Sequence, residues 1–160
     1  MFPFPRINSV LFLLLIMCSY GTKAFGQQEL VCPMDPLPVG WVVTAKKLCT
    51  CCSASSSTGE QWTITDIYNE EPGATHLVCA NQEIPEGWII SDMKKCSCCS
   101  TTGVGAQWKL IKVEGLPSGT ILEVCAAQEC PDGWVIKDIK SCTCCNELGE
   151  AGAQMTIKKL

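Results

Sequence analysis

One cysteine–tryptophan pattern occurs three times in this chain and constrains its fold more than any other feature. Each copy starts with a lone Cys, reaches a Trp nine residues later and a Cys-x-Cys-Cys cluster eight residues after that. The copies are Cys32, Trp41, Cys49, Cys51 and Cys52; Cys79, Trp88, Cys96, Cys98 and Cys99; and Cys125, Trp134, Cys142, Cys144 and Cys145. They start 47 and 46 residues apart. Repeats of this period fix architecture before any local signal does. A unit of about 46 residues is too small to hold a core well without covalent staples.

The N-terminus reads as a secretory signal over 1–26. Arg6 supplies a positive start, Val10 to Cys18 an apolar stretch, and Ala24-Phe25-Gly26 a small-x-small cleavage site. The apolar stretch is too short to span a bilayer, and none like it follows, so stable membrane insertion is not expected. Cleavage after Gly26 leaves 134 residues with 13 cysteines, no arginine, and 10 Lys against 16 Asp and Glu. The net charge is then about −6 and dispersed. Binding to nucleic acid or to an anionic membrane surface needs a clustered positive field, so both are excluded as main partners.

Cysteine at this density in a secreted chain means a disulfide scaffold. Twelve residues form the expected framework: Cys32, Cys49, Cys51, Cys52, Cys79, Cys96, Cys98, Cys99, Cys125, Cys142, Cys144 and Cys145. Two bridges per copy are expected. Pairing adjacent residues such as Cys51 and Cys52 would strain the ring. Two connectivities remain for the first copy: Cys32 with Cys51 and Cys49 with Cys52, or Cys32 with Cys52 and Cys49 with Cys51. Thiolate metal clusters also use Cys-x-Cys-Cys, but secretion and the distant Cys in each copy favour bridges. No cofactor or metal is expected. Cys130 is the thirteenth cysteine and aligns with Leu37 and Ile84, both apolar. It reads as a free thiol acting as a small hydrophobe, with a covalent dimer as the alternative.

Three strand-like segments recur in each copy, rich in β-branched and aromatic residues and separated by Pro, Gly and Ser. They are the run into the lone Cys, the run starting at Gly-Trp, and the run starting at Gln61-Trp62, Gln107-Trp108 and Gln154-Met155. In the last of these, Trp62, Ile64 and Asp66 share one face and Thr63, Thr65 and Ile67 the other, which predicts a strand half buried on its Trp face. Glu71-Pro72-Gly73 and Leu116-Pro117-Ser118-Gly119 read as turns. They predict that the third strand of one copy pairs with the first of the next. The strands at Glu29 to Cys32 and Gln154 to Lys159 would then pair with each other and remove both exposed edges. The expected fold is therefore all-β, three disulfide-stapled repeats over 27–76, 77–122 and 123–160, packed as one pseudo-threefold domain. The alternative is an open row of three small modules.

Catalysis is not expected. The one histidine, His76, has no counterpart in the other copies and no nucleophile motif beside it. Asp92 and Asp138 recur in two copies, but Ala45 stands in the first. Lys47, Lys94 and Lys140 read as solvated edge charges. The expected function is that of a secreted, non-enzymatic structural or interaction protein, such as an extracellular matrix or coat component, with an extracellular protein or glycan as partner. A first alternative is a lectin-like protein stacking sugars on Trp41, Trp88 and Trp134. A second is a defence protein, toxin or protease inhibitor presenting the loop Ser53 to Gly59.

Overall fold

The computed structural model of the protein describes residues 26–33, 36–53, 58–147 and 151–160. Apart from Gly26, the expected signal segment lies outside them, as does most of the loop Ser53 to Gly59. The described chain is all-β: β1 (Gln28–Val31), β2 (Trp41–Cys49), β3 (Gly59–Asp66), β4 (Thr75–Cys79), β5 (Trp88–Cys96), β6 (Gly105–Lys112), β7 (Ile121–Cys125), β8 (Trp134–Cys142) and β9 (Gly152–Lys159), with one 3-10 turn at Ser97–Cys99.

The strands form three antiparallel sheets of identical order, β1-β3-β2, β4-β6-β5 and β7-β9-β8. The strand that starts at Gln-Trp or Gln-Met is central in each. In the first sheet Val31 pairs with Trp62 on one side, and Lys46 with Trp62 on the other. Each second strand carries a bulge at the same place, between Val43 and Ala45, Ile90 and Asp92, and Ile136 and Asp138. The extra residues are Thr44, Ser91 and Lys137. Such a bulge adds twist and bends the strand.

This order overturns the expected strand exchange between copies. Both edges of β3 are taken by β1 and β2, so β4 cannot join it and pairs with β6. Nor do the terminal strands close a ring: β1 pairs with β3, and β9 with β7 and β8. The turns themselves are present. Ala74 N–H donates to the Glu71 carbonyl at 3.0 Å and Thr120 N–H to the Pro117 carbonyl at 3.2 Å. Gly73 and Gly119 stand at φ of 83° and 86°, as a type II turn requires. They lead the chain onto the next sheet and not back along the last one. A central strand is also covered on both faces, so Ile64 and its neighbour Thr65 are both buried, against the half-buried expectation.

Successive sheets pack through β2 against β4 and β5 against β7. The cores follow this stacking. Val42 and Ile67 of the first sheet share a cluster with Val78, Trp88, Ile90 and Leu110 of the second and with Cys125 and Cys145 of the third. A second cluster joins Ile89 and Val113 to Val124, Trp134, Met155 and Ile157. Met155 is buried where the other sheets carry Trp62 and Trp108, consistent with Met filling irregular apolar space.

Candidate functional site

The Gly-Trp positions explain themselves as turns. Trp41, Trp88 and Trp134 N–H groups donate to the carbonyls of Pro38, Pro85 and Pro131 at 3.0, 3.2 and 3.1 Å. Gly40, Gly87 and Gly133 have φ of 80°, 79° and 75°. Only Gly adopts this conformation freely. At Gly40 a side chain would also collide with Tyr68, whose Cβ lies 2.6 Å from the position a Cβ would take. The three Trp side chains are not equivalent. Trp88 and Trp134 are 5% and 6% exposed, whereas Trp41 is half-buried. A threefold platform of open Trp faces is therefore absent, because two of the three rings are built into the cores.

Trp41 faces a groove of about 1040 Å³ where the first two sheets meet. Tyr68, Trp62 and the rim of Trp88 form its aromatic wall, and Glu83, Glu86 and Glu114 lend it acidic groups. Lys46 Nζ lies 5.2 Å from the Trp62 ring centroid, a cation–π distance. Lys112 Nζ donates to the Tyr68 carbonyl at 3.1 Å, tying the second sheet to the first. Aromatic faces with carboxylates around them can stack a sugar ring and accept its hydroxyl protons.

His76 Nε2 lies 3.2 Å from Glu70 Oε1, and its ring meets Trp88 edge to face at 5.6 Å.

The cysteines resolve the connectivity left open by the sequence. Cys32 bridges Cys52 and Cys49 bridges Cys51; Cys79 bridges Cys99 and Cys96 bridges Cys98; Cys125 bridges Cys145. The third copy departs from the expected framework, because Cys142 and Cys144 are thiols. Burial, reinforced by the Cys142 hydrogen bond, pushes the Cys144 thiol up to about 11, suppressing the thiolate that attacks in exchange. The clusters Cys49, Cys51, Cys52 and their equivalents keep their sulfurs within 4.8 Å of one another. In the first two all three are consumed by bridges, which removes them as metal ligands.

Cys130 is a free thiol within the chain. It packs against the cluster of Trp134 and Met155, as Leu37 and Ile84 pack against theirs. Burial raises its pKa. The expected behaviour is a monomer on non-reducing denaturing electrophoresis, with Cys130 alkylated faster after unfolding. A dimer band that collapses on reduction would overturn this and establish the intermolecular bridge.

Two residues that sequence reasoning passed over hold the sheets together. Val43 N–H donates to Gln82 Oε1 at 2.8 Å, and Gln82 Nε2 donates to the Val43 carbonyl at 3.0 Å and to the Cys79 carbonyl. Gln128 repeats this: Ile90 N–H donates to its Oε1 at 2.8 Å, and its Nε2 donates to the Ile90 and Cys125 carbonyls at 2.7 and 3.2 Å. A carboxamide is the one side chain that offers donor and acceptor side by side to a backbone edge. The signal was the recurrence of Gln three residues after the lone Cys in two copies. Further polar ties add to the clamps: Thr101 Oγ1 donates to Glu60 Oε1 at 3.3 Å at the first joint, beside the Lys112–Tyr68 bond, and Trp108 Nε1 donates to Glu147 Oε1 at 2.8 Å at the second. The second joint adds a backbone bond from Met93 N–H to the Cys144 carbonyl at 2.7 Å.

Among the described residues no helix is long and apolar enough to cross a membrane. No family model matches the chain, and neither a curated protein nor a solved structure matches it.

Proposed function

We propose that this chain is a secreted, non-enzymatic structural or interaction protein, of the kind that builds an extracellular matrix or coat. One observation carries the reading: each sheet is stapled by a bridge spanning 20 residues, and adjoining sheets are tied by the same carboxamide clamp. The polar chemistry of the interior serves rigidity. Stable bridges also fit an oxidising compartment, as would the signal segment expected over 1–26. Repeated, rigidly spaced surfaces suit a repetitive partner, where avidity multiplies a weak contact. The expected result is recovery of the native protein with insoluble extracellular material. Recovery wholly in soluble secretion would overturn the matrix reading.

The groove at Trp41 favours a second reading, glycan binding. Aromatic stacking on Trp41 and Tyr68 with the carboxylates of Glu83 and Glu86 would define one site and not three. Retention on a glycan array that disappears in Trp41→Ala would support it, and silence of the unmodified protein across the array would remove it.

A further inference from the structure

The three Gly-Trp rings have different neighbours, and the difference is one of charge. In the third sheet Lys159 Nζ lies 5.4 Å from the Trp134 ring centroid, a cation–π contact. In the second sheet the His76 ring meets Trp88 edge to face at 5.6 Å. Trp41 has neither kind of neighbour among the described residues. In register, Trp134 pairs with Lys159 and Trp88 with Lys112, but Trp41 pairs with Asp66. The first sheet therefore carries a carboxylate where the other two carry an ammonium. Asp66 turns to its own backbone and accepts from Tyr68 N–H at 2.9 Å.

The groove that Trp41 faces has the charge to draw a cation from outside. Glu83, Glu86 and Glu114 line it, and all three are exposed. The ion pairs among the described residues, His76–Glu70 and Lys140–Glu123, use none of them. The two ammonium groups of the groove are already engaged, Lys46 over the Trp62 ring and buried Lys112 on the Tyr68 carbonyl. Tyr68 is 62% exposed and offers a second ring beside Trp41. A cation placed among carboxylates and aromatic faces is attracted by both.

We propose that this groove binds a glycan bearing free amino groups, a chain of deacetylated hexosamine. Its ammonium groups meet Glu83, Glu86 and Glu114, and its ring faces stack on Trp41 and Tyr68. The inference rests on the glycan reading of the groove and names the class of sugar. At about 1040 Å³ the groove stands at the top of the range of about 300–1,000 Å³ usual for small-molecule sites, which suits an oligomer better than a lone ammonium ion. A basic peptide fits less well, because an extended peptide gains affinity by pairing its backbone with a sheet edge. Of the β2 residues on the groove, Trp41 N–H is bonded to Pro38, and Val43 has both backbone groups taken by Gln82. A sugar needs only ring faces and side-chain acceptors.

The test is isothermal titration calorimetry of the purified protein with three β-linked tetramers, of glucosamine, of N-acetylglucosamine and of glucose. A mildly acidic buffer keeps the amines protonated and the carboxylates ionised. The glucosamine tetramer should bind about tenfold more tightly than the other two at low salt, and its advantage should shrink as salt rises. Trp41→Ala should weaken its binding by about tenfold, and Trp41→Phe by much less. Glu83→Gln combined with Glu86→Gln should bring the three tetramers to similar affinity. Unchanged melting temperatures would show that the variants fold, and the ranking of the tetramers on the unmodified chain decides the proposal without them. Equal affinity for all three, or a preference for an uncharged one, would overturn the amino-sugar inference and leave the glycan reading standing. Binding of none would remove both. Tetralysine binding more tightly than the glucosamine tetramer would overturn the inference in favour of a basic peptide.

Discussion

Replacing Cys79 and Cys99 together by Ala is expected to destabilise the protein far more than replacing Cys32 and Cys52. Both bridges span 20 residues, so the chain-entropy contribution is the same, about 3 kcal/mol. Their surroundings differ. Cys79 is 1% exposed and packs with Val43 and Ile64 of the preceding sheet, whereas Cys32 is exposed. Truncating a buried sulfur leaves a hole worth a further 1–2 kcal/mol or so. The total, about 4–5 kcal/mol, is a large share of the 5–15 kcal/mol that typically holds a domain together. Calorimetry should show a drop of about 10–20 °C for the inner pair, and a clearly smaller drop for the outer one. Equal drops would mean that burial at the joint contributes nothing. Removing Cys49 and Cys51 should cost least of the three, about 1–2 kcal/mol, because so short a loop had little entropy to lose.

Gln82→Leu should uncouple the first sheet from the second. The substitution keeps the side-chain volume and deletes three hydrogen bonds, two to Val43 and one to Cys79. It leaves the Val43 N–H and carbonyl without partners at a joint where Val43 is 3% exposed. A loss of about 2–4 kcal/mol follows. The first two sheets pack through β2 against β4, so that loss falls on this interface. The melting transition should broaden or split, with the first sheet unfolding earlier. Gln82→Glu sharpens the test. Its carboxylate would face two carbonyls and lose the donor, so its folded-state pKa should rise above the ordinary value of about 4.3. A group with a raised folded pKa contributes most below the unfolded value and loses that contribution as pH rises through the folded one. This variant should therefore be weakest at neutral pH and recover on acidification, whereas Gln82→Leu should show no such recovery. Identical pH profiles would remove the amide from its role.

Local features were readable from residue types. The Gly-Trp turns followed from Pro, Gly and a β-branched run, and φ near 80° at Gly40 and Gly87 bears out that chemistry. The turns at Pro72-Gly73 and Ser118-Gly119 were equally visible, yet the strand pairing inferred from them was wrong. A turn between two strands sets how the chain bends and not which strand lies alongside which. The pairing was decided by the Gln-Trp strand taking the central place, with both edges occupied within its own sheet. The joints were hidden for a related reason. Gln82 and Gln128 look like ordinary polar residues until the next sheet brings a backbone edge against them. Likewise three aligned Trp residues look alike in the chain, but stacking buries Trp88 and leaves Trp41 on a groove.

The sequence by itself determined the all-β class, the turns, and which cysteines were available for bridging, because these depend on backbone preference and on spacing along the chain. Only the tertiary structure decided which cysteines paired, which strand was central and which faces stayed uncovered. Those depend on what distant residues bring to the same place: identical Cys and Ile positions are buried at a joint and exposed at an end, because burial belongs to neighbours in space and not to neighbours in the chain.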